Sequence, residues 1–400
     1  GQGGLEGGLR ARLGELCDLA AWCASNAPGL RAINVSGAPY DAGGASAVQE
    51  IAYTVATGIE YLRQLDRAGL SIEDADRQID FSYAVSGDFF TQIAKLRAAR
   101  ALWAQVVTAA GGERGAAAMP IHCRTSSFTI TSRDPWVNML RVTAECTAAV
   151  LGGAQSVSTQ PFDAAIGPPD ELARRVARNT QIVLRDESHL GAVADPAGGS
   201  WFVETLTEQL ARAAWAEIQS IEAEGGIVKA LGSGRIVDAI EEVAQARRQA
   251  IATRKAPIVG VSEFPNLDEE PVARAPVPED EVKRRLRAGL DELDVGAHRD
   301  VLLGLAHQVN DPKRTPGALT EACVAATTSG TDIYSVAAVL QHGQPDFHVE
   351  PVGQWRAAQQ WERLRERSDQ SKPRPNAFLA NLGAIPSHKA RSTWAQNLLG

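Results

Sequence analysis

Polar and apolar residues alternate along short segments of this chain, and each of these segments is followed by a longer one with helical spacing. The clearest alternation lies at 121–124, where His122 and Arg124 alternate with apolar residues at the two-residue period of a strand. The helical segment after it ends at a glycine pair, 152–153, and a short strand over 155–159 follows directly. Strand, helix and strand joined by short loops are typical of the right-handed crossover unit of a parallel sheet.

The helix in this unit is predicted to begin at Asp134 and Pro135. Aspartate is a favoured N-cap residue, and proline suits the first helical position because its missing N–H would be unpaired there in any case. We therefore expect the Asp134 side chain to cap this helix.

The same two periods predict strand–helix units in series, preceded by an amphipathic helix over 9–27. The predicted strands span 30–35, 78–85, 121–124 and 155–159, and the helices that follow them span 46–66, 89–107, 136–150 and 169–184. A loop is expected over 36–44, further helices over 203–224 and up to residue 255, and one more strand over 258–261.

Four βα units in this order resemble half of a (β/α)8 TIM-type barrel, and we predict an α/β fold with such a half barrel over 28–262. A half barrel leaves its inner face open to water and its two edge strands unpaired. The other half must then come from a missing segment or from another chain. An open, doubly wound parallel sheet is the alternative.

The composition changes after residue 262. Proline and acidic residues are frequent over 264–284, which is typical of a linker. Polar helices are predicted over 280–293, 297–308 and 316–327. We therefore expect 263–372 to form a linker with helices.

The end of the chain has the pattern of one further βα unit. A proline-rich hinge at 372–376 precedes a predicted strand over 377–383 and a helix over 389–399. One such unit cannot form a domain, so we expect 373–400 to be the start of a second α/β domain.

The composition argues against two classes of partner. The 400 residues are 44% hydrophobic and 22% charged, as in ordinary globular proteins, and the formal net charge is -8. An acidic chain without a basic stripe is not expected to bind nucleic acid, and no apolar run is long enough to cross a membrane. Five scattered cysteines and the lack of a secretory signal in the glycine-rich start favour the cytoplasm.

The candidate site lies where the predicted strands end, because ligands bind at the carboxyl ends of strands in parallel α/β sheets. Those ends carry Arg124, Thr125 and Ser126 after one strand, and Ser158 to Gln160 after the next. We expect a small-molecule site there, and no metal site.

Longer blocks of sequence identify the chain as resembling a known family, the adenosylcobalamin-dependent acyl-CoA mutases, and methylmalonyl-CoA mutase most closely. The blocks are I-N-V-S-G at 33–37 with the helix over 43–61, I-A-K-L-R-A-A-R-A-L-W-A at 93–104, H-C-R-T-S at 122–126, R-D-P-W-V-N-M-L-R at 133–141, L-G-G-A-Q-S-V-S-T-Q-P-F-D at 151–163, A-R-R-V-A-R-N-T-Q at 173–181 and V-A-D-P-A-G-G-S-W-F-V-E at 193–204. Together they cover nearly all of 28–262, and their order and spacing make the resemblance specific.

The resemblance implies a fold and a division into domains. In that family a (β/α)8 barrel binds the acyl-CoA along its axis, and a helical linker leads to a flavodoxin-like cobalamin-binding domain. The chain is similar to the C-terminal half of the barrel, the linker, and the first βα unit of the cobalamin domain at 373–400. It therefore looks truncated at both ends.

Three positions depart from the catalytic members of the family. Those members have Gly-Tyr-His where this chain has Gly37, Ala38 and Pro39, so Pro39 replaces a histidine that lies beside the substrate thioester. Ser158 replaces a second histidine, and Arg124 replaces a glutamine. Proline can neither donate a hydrogen bond nor transfer a proton, so no catalytic residue is assigned to this chain.

The resemblance also implies two vestigial cofactor contacts. His388 matches the cobalt-coordinating histidine of the family's Asp-x-His-x-x-Gly motif, but Pro386 replaces the aspartate and Arg391 the glycine. A ligating histidine without its carboxylate is weakened. Glu187, in E-S-H-L-G with His189, matches a glutamate near the adenosyl group.

Together the departures resemble the non-catalytic small subunit of heterodimeric bacterial mutases. The implied partner is a catalytic large subunit, which would bind the adenosylcobalamin of the complex. A self-sufficient acyl-CoA mutase of altered specificity is the alternative, and it would need Tyr40 or His122 to replace the lost histidine. An unrelated βα enzyme of the aldolase or isomerase kind is a third hypothesis.

The candidate substrate-binding residues, for which acyl-CoA is the ligand considered, are His122, Arg124, Thr125, Ser158 and Gln160. Each has a structural alternative. His122 is interpreted first as a buried, hydrogen-bonded histidine. For Arg124 an ion pair with Asp80 or Glu187 is favoured over a CoA phosphate. Tyr40 and Asp41 are interpreted as parts of a turn rather than as an acid/base couple.

Overall fold

A computed structural model describes residues 8–113, 119–266, 269–270, 272, 279–291, 298–311, 313–340 and 347–399. The glycine-rich start of the chain and much of the stretch at 264–284, predicted to be a linker, lie outside these ranges.

One parallel sheet organises the first part of the described chain. Its strands are β1 (Ile33–Ser36), β2 (Ile79–Val85), β3 (Ile121–Thr125) and β4 (Ser156–Ser158). They lie in the order β1-β2-β3-β4, and each pairs in parallel with the next. Every connection therefore runs to the neighbouring strand, which confirms the predicted α/β class with a parallel sheet built from βα units in series.

Helices make up most of the remaining described structure. They are α1 (Leu9–Asn26), α2 (Ala38–Gly43), α3 (Ala47–Arg67), α4 (Ile72–Arg77), α5 (Phe89–Ala109), α6 (Val137–Leu151), α7 (Glu171–Ile182), α8 (Trp201–Ala223), α9 (Ile227–Gly232), α10 (Arg235–Ala252), α11 (Glu279–Asp291), α12 (Arg299–Asn310), α13 (Ala318–Thr328), α14 (Ile333–Leu340), α15 (Gln359–Gln370) and α16 (Ile385–Leu399). A π-helical turn, Val183–Glu187, extends α7.

The main core lies between one face of the sheet and the helices α3 and α5, and it extends to α8, which packs on these two helices. Trp103 on α5 is fully buried, and its ring meets that of Phe81 on β2 edge to face with centroids 4.8 Å apart. Its indole N–H donates to Asp76 at 2.7 Å. At Gly58 on α3 an added Cβ would lie 2.7 Å from the Trp103 ring, so only glycine allows α3 to pack this closely.

The start of α6 differs from the prediction. The helix begins at Val137, and Asp134 adopts a left-handed backbone conformation with φ 44° instead of capping it. The backbone N–H of Asp134 donates to Glu269 at 2.6 Å. An N-cap residue normally has an extended backbone, which this left-handed conformation does not provide, so the predicted cap is wrong.

Two predicted strands are also wrong. Over 258–261 the structure has only an isolated bridge between Val259 and Glu263, and 377–383 pairs with no strand in the described part of the chain. An extended segment becomes a strand only where a neighbour pairs its backbone groups, and that neighbour is not visible in local periodicity. The expected loop at 36–44 contains the short helix α2.

The helices α12, α13 and α14 form a second, small core around Leu305 and Leu319. This group packs against α1 through Asp18, which is buried. The carboxylate of Asp18 accepts hydrogen bonds from the backbone N–H groups of Gly317 at 3.0 Å and Thr320 at 2.8 Å. Asp18 thus caps the N-terminus of α13 from about 300 residues away along the chain.

Two further properties bear on the environment of the chain. All five cysteines are free thiols, and four of them are buried. Among the residues that the structure describes, no helix combines the length and the apolar character needed to pass through a bilayer.

Candidate functional site

The face of the sheet opposite the main core is polar. Its side chains come from alternate positions of the strands: Asn34, Ser36, Asp80, Ser82, His122, Arg124, Ser156 and Ser158. The strand register orders them in rows, one of Ser36, Ser82, His122 and Ser156, and one nearer the carboxyl ends of Ala84, Arg124 and Ser158. Parallel sheets are normally covered by apolar packing on both faces, so an open polar face marks this one as a candidate site.

Several side chains of the polar face bond to one another. Asn34 donates to Asp80 at 2.7 Å and accepts from the hydroxyl of Ser82 at 2.7 Å. The Nδ1 atom of His122 lies 2.8 Å from the hydroxyl oxygen of Ser156. His122 is hydrogen-bonded, as the structural interpretation expected, but it is half-buried rather than buried and lies on the open face.

Arg124 is exposed, and in the described part of the chain it forms neither of the expected ion pairs, with Asp80 or with Glu187. Asp80 bonds Asn34 instead. The register partner of Arg124 is Ala84, four residues beyond Asp80 on the same strand. At about 3.3 Å per residue this separation is roughly 13 Å, which is too far for an ion pair. The expected structural pair is therefore wrong.

The candidate substrate-binding residues fall into two groups. Thr125 and Gln160 are buried and bond each other: the Gln160 backbone N–H donates to the Thr125 hydroxyl at 2.8 Å, and its side-chain amide donates to the Thr125 carbonyl at 2.7 Å. They join the ends of β3 and β4 and do not face the open side. His122, Arg124 and Ser158 lie together on the polar face.

Pro39 is exposed in the first turn of α2, directly after β1. The neighbouring Asp41 is buried and accepts the hydroxyl of Ser126 at 2.5 Å. Tyr40 packs edge to face on Tyr53 with ring centroids 5.3 Å apart, and burial raises the pKa of Tyr40. Tyr40 and Asp41 therefore have structural contacts in a short helix, in place of the predicted turn.

A buried ion pair lies beneath this loop, between Glu50 on α3 and Lys95 on α5. The two charged atoms are 2.6 Å apart, and the side chains are only 3% and 1% exposed. Both groups bond Ala84 on β2: its N–H donates to Glu50 at 3.1 Å, and Lys95 donates to its carbonyl at 2.6 Å. Burial raises the pKa of Glu50 to about 7 against the opposing effect of Lys95.

The ion pair also restricts the loop after β1, because a Cβ added at Gly37 would lie 2.7 Å from the Glu50 carboxylate. Sequence analysis missed the pair. The sequence does mark each charge as buried, though not as a pair, because a charged residue lies within an apolar stretch of each helix, Glu50 in A-V-Q-E-I-A-Y and Lys95 in Q-I-A-K-L.

A second buried carboxylate, Glu145 on α6, was also missed. One of its oxygens accepts the Thr129 hydroxyl at 2.5 Å, and the other has no hydrogen-bond partner in the described part of the chain. Burial, together with the nearby charge of Asp41, raises the pKa of Glu145 to about 8. Burial thus favours the protonated form of this carboxyl group.

Residues 352–362, here called the linker strap, cover the carboxyl end of the sheet. The Trp355 backbone N–H donates to the Ala42 carbonyl at 3.1 Å, and its indole N–H donates to the Gly43 carbonyl at 3.0 Å. The Ala357 N–H donates to the Phe128 carbonyl at 2.9 Å. The linker strap thus holds α2, which carries Pro39, and the loop after β3 in fixed positions.

The predicted vestigial cofactor residues do not form a cobalamin site among the described residues. Glu187 is exposed at the end of the π-helical turn. His388 lies in the first turn of α16, and its buried Nδ1 atom has no hydrogen-bond partner in the described part of the chain. No carboxylate therefore orients the ring from that nitrogen, and no group of three potential metal ligands occurs within the described ranges.

Comparison with known proteins identifies the family. The family model for methylmalonyl-CoA mutase matches residues 6–343. The methylmalonyl-CoA mutase small subunit of Streptomyces virginiae is 40% identical over 398 residues, which are 98% of this chain and 54% of that protein.

Two further relatives match a shorter region. The probable methylmalonyl-CoA mutase small subunit of Mycobacterium tuberculosis (strain H37Rv) is 48% identical over 66% of this chain and 43% of its own length. The methylmalonyl-CoA mutase of Escherichia coli K12 is 40% identical over 64% of this chain and 36% of its own. The chain thus spans about half the length, or less, of these relatives. Because the family model matches most of its residues, the chain belongs to the methylmalonyl-CoA mutase family.

Proposed function

We propose that this chain is part of a small, non-catalytic subunit of a methylmalonyl-CoA mutase, paired with a catalytic large subunit. The complex interconverts methylmalonyl-CoA and succinyl-CoA, and this chain stabilises its partner. The names of the two small subunits that match at 40% and 48% identity support the proposal.

The observation that carries the proposal is Pro39. It is exposed at the start of α2, where the resemblance expects a histidine, and its ring offers no proton to a substrate. Two carboxylates near this position are occupied, because Asp41 bonds Ser126 and Glu50 pairs with Lys95 inside the core. Neither therefore replaces the histidine as an acid or base beside Pro39.

We also propose that 28–262 forms one half of a (β/α)8 barrel. Four parallel strands in spatial order, and a polar face that is open on one side, support this arrangement. The other half would supply the second wall of the barrel and a neighbour for each edge strand. In the same proposal, 1–27 is a lead helix, 263–372 is the linker, and 373–400 begins a flavodoxin-like domain.

The cofactor of the complex, in this proposal, is adenosylcobalamin held by the large subunit. Its chemistry there is homolysis of the cobalt–carbon bond. The described residues of this chain do not fit the group, because His388 has no carboxylate on its buried Nδ1 and Arg391 is bulky where a corrin would approach. The chain itself contributes structure to the complex.

The exposed aromatic residues at the start of α8 are a candidate contact with the large subunit. Trp201 is 90% exposed, and Phe202 beside it packs edge to face on Phe90. Tryptophan and phenylalanine are enriched in subunit interfaces. Trp103, in contrast, is buried in the core and is unavailable to a partner.

Titration with hydroxocobalamin tests the proposal. We expect no change in the corrin spectrum with the full-length chain alone, and mutase activity only after the large subunit is added. The P39H variant, which restores the imidazole, is expected to remain inactive alone because the cofactor site is still missing. Saturable cobalamin binding and turnover by this chain alone would instead support a self-sufficient mutase.

A further inference from the structure

Three arginine side chains line one cavity where separate parts of the chain meet. Arg133 belongs to the loop between β3 and α6, Arg365 to α15, and Arg374 to the segment after α15. The cavity has a volume of about 650 Å³, which is within the usual range of ligand pockets. These three residues and the cavity between them are called the arginine cleft below.

The arginine cleft carries more positive charge than its carboxylates neutralise. Asp369 accepts from Arg133 at 2.7 Å and pairs with Arg374 at 3.1 Å, so one carboxylate serves two guanidinium groups. The other lining carboxylate, Glu269, accepts the backbone N–H of Asp134 at 2.6 Å. Three cations and two anions leave a net charge of +1 in the lining.

Arg365 has no carboxylate partner within the described residues. Its terminal nitrogens donate to the backbone carbonyls of Gly260 at 3.3 Å and Val261 at 2.6 Å, which positions the guanidinium group but does not neutralise it. Burial lowers the pKa of Arg365, and the nearby charges of Arg133 and Arg374 act in the same direction, whereas the carboxylates of Glu269 and Asp369 oppose this shift without forming an ion pair with Arg365. A partly buried cation beside like charges is stabilised by an anion.

The rest of the lining suits an oxyanion. Ser368, Asn376 and Gln396 add neutral hydrogen-bond donors from α15, the segment after it, and α16. Guanidinium groups match the geometry of phosphate oxygens through paired N–H donors. We propose that the arginine cleft binds a phosphate group, as inorganic phosphate or as the phosphate monoester of a small molecule.

This site requires an anion to compete with Asp369 for Arg133 and Arg374. The proposal therefore predicts opposite changes in phosphate affinity for substitutions of two residues that pair with each other. Asp369→Asn removes the competing charge and is expected to tighten phosphate binding several-fold, whereas Arg374→Gln removes a ligand and weakens it roughly tenfold. If Asp369 only held the arginines in place, its loss would weaken binding instead.

The test is isothermal titration calorimetry of the intact chain with inorganic phosphate at low ionic strength. We expect a saturable signal that is weakened in R365Q and R374Q and that decreases with added salt. The control is R212Q, because Arg212 is 78% exposed on α8 and pairs with Glu208, and neither residue lines the cleft. Arg374 is 61% exposed, so R374Q is expected to fold even if R365Q does not.

A second titration with phenyl phosphate distinguishes the two sources of the group. Tighter binding than inorganic phosphate assigns the cleft to a phosphate monoester, and equal or weaker binding assigns it to free phosphate. The absence of a saturable signal with both, an equal loss in R212Q, or weaker binding in D369N overturns the proposal. The readout is binding alone, so the result does not depend on the proposed mutase function.

Discussion

Replacing Lys95 with methionine is expected to destabilise the fold by about 3–5 kcal/mol, the usual cost of leaving a buried charge without its partner. Lys95 and Glu50 are 1% and 3% exposed, so water cannot take over the role of the lost ammonium group. The Ala84 carbonyl also loses its donor, which contributes about 1 kcal/mol of this cost. Both losses affect β2, an inner strand of the sheet, because Ala84 lies on that strand.

The cost in K95M is expected to depend on pH. Burial already raises the pKa of Glu50 to about 7, and loss of Lys95, which opposes that effect, raises it further. At pH 5 Glu50 is then protonated and needs no cation, whereas at pH 8 its ionisation is opposed by burial. Lys95→Met is therefore expected to cost less at pH 5 than at pH 8.

Urea unfolding followed by circular dichroism at both pH values measures these differences. The matched control is K229M, because Lys229 is exposed on α9 and its loss is expected to change stability by less than about 0.5 kcal/mol. The double variant E50Q/K95M is expected to recover at least half of the loss, because both charges of the buried pair are removed. Equal losses in K95M and K229M, or no recovery in the double variant, would refute the reasoning.

Three further predictions concern other contacts. Glu145→Gln is expected to become more stable relative to the unchanged chain as pH rises from about 5 to 8. The raised pKa of Glu145 stabilises the unchanged fold fully below the unfolded pKa, and this stabilisation is lost as pH approaches 8. Urea unfolding across this range measures the difference between the two chains, and a difference that does not change with pH contradicts the prediction. Asp18→Ala is expected to lower the free energy of unfolding by about 2 kcal/mol, because α13 loses its cap. Hydrogen exchange is expected to show lower protection in α12–α14 than in the sheet. An equal loss of protection in both would contradict the view that Asp18 holds these helices against α1. Trp355→Ala is expected to lower the free energy of unfolding by about 2–3 kcal/mol, measured by thermal unfolding. Trp355→Phe is expected to cost less, because it keeps the ring packing and loses only the hydrogen bond to Gly43. Equal costs of the two variants would mean that the ring contributes nothing.

The sequence by itself determined the order and type of most elements in the first part of the chain. Alternation at 121–124 and helical spacing after it are properties of neighbouring residues, so β3 and α6 are visible without any knowledge of the fold. The same periodicity assigns the residues at the strand ends to the two faces of the sheet, since the adjacent residues Arg124 and Thr125 must face opposite sides of it. The family resemblance came from the same local order of blocks.

Only the tertiary structure decided which groups meet. Glu50 and Lys95 come from different helices, and Asp18 caps a helix about 300 residues away, so no local pattern predicts either contact. Asp134 is a residue type that favours helix N-caps, but its left-handed backbone does not allow it to cap α6. Packing brings these residues together, and burial then strengthens their electrostatic interactions, which is why the partners of these buried charges could not be identified from periodicity.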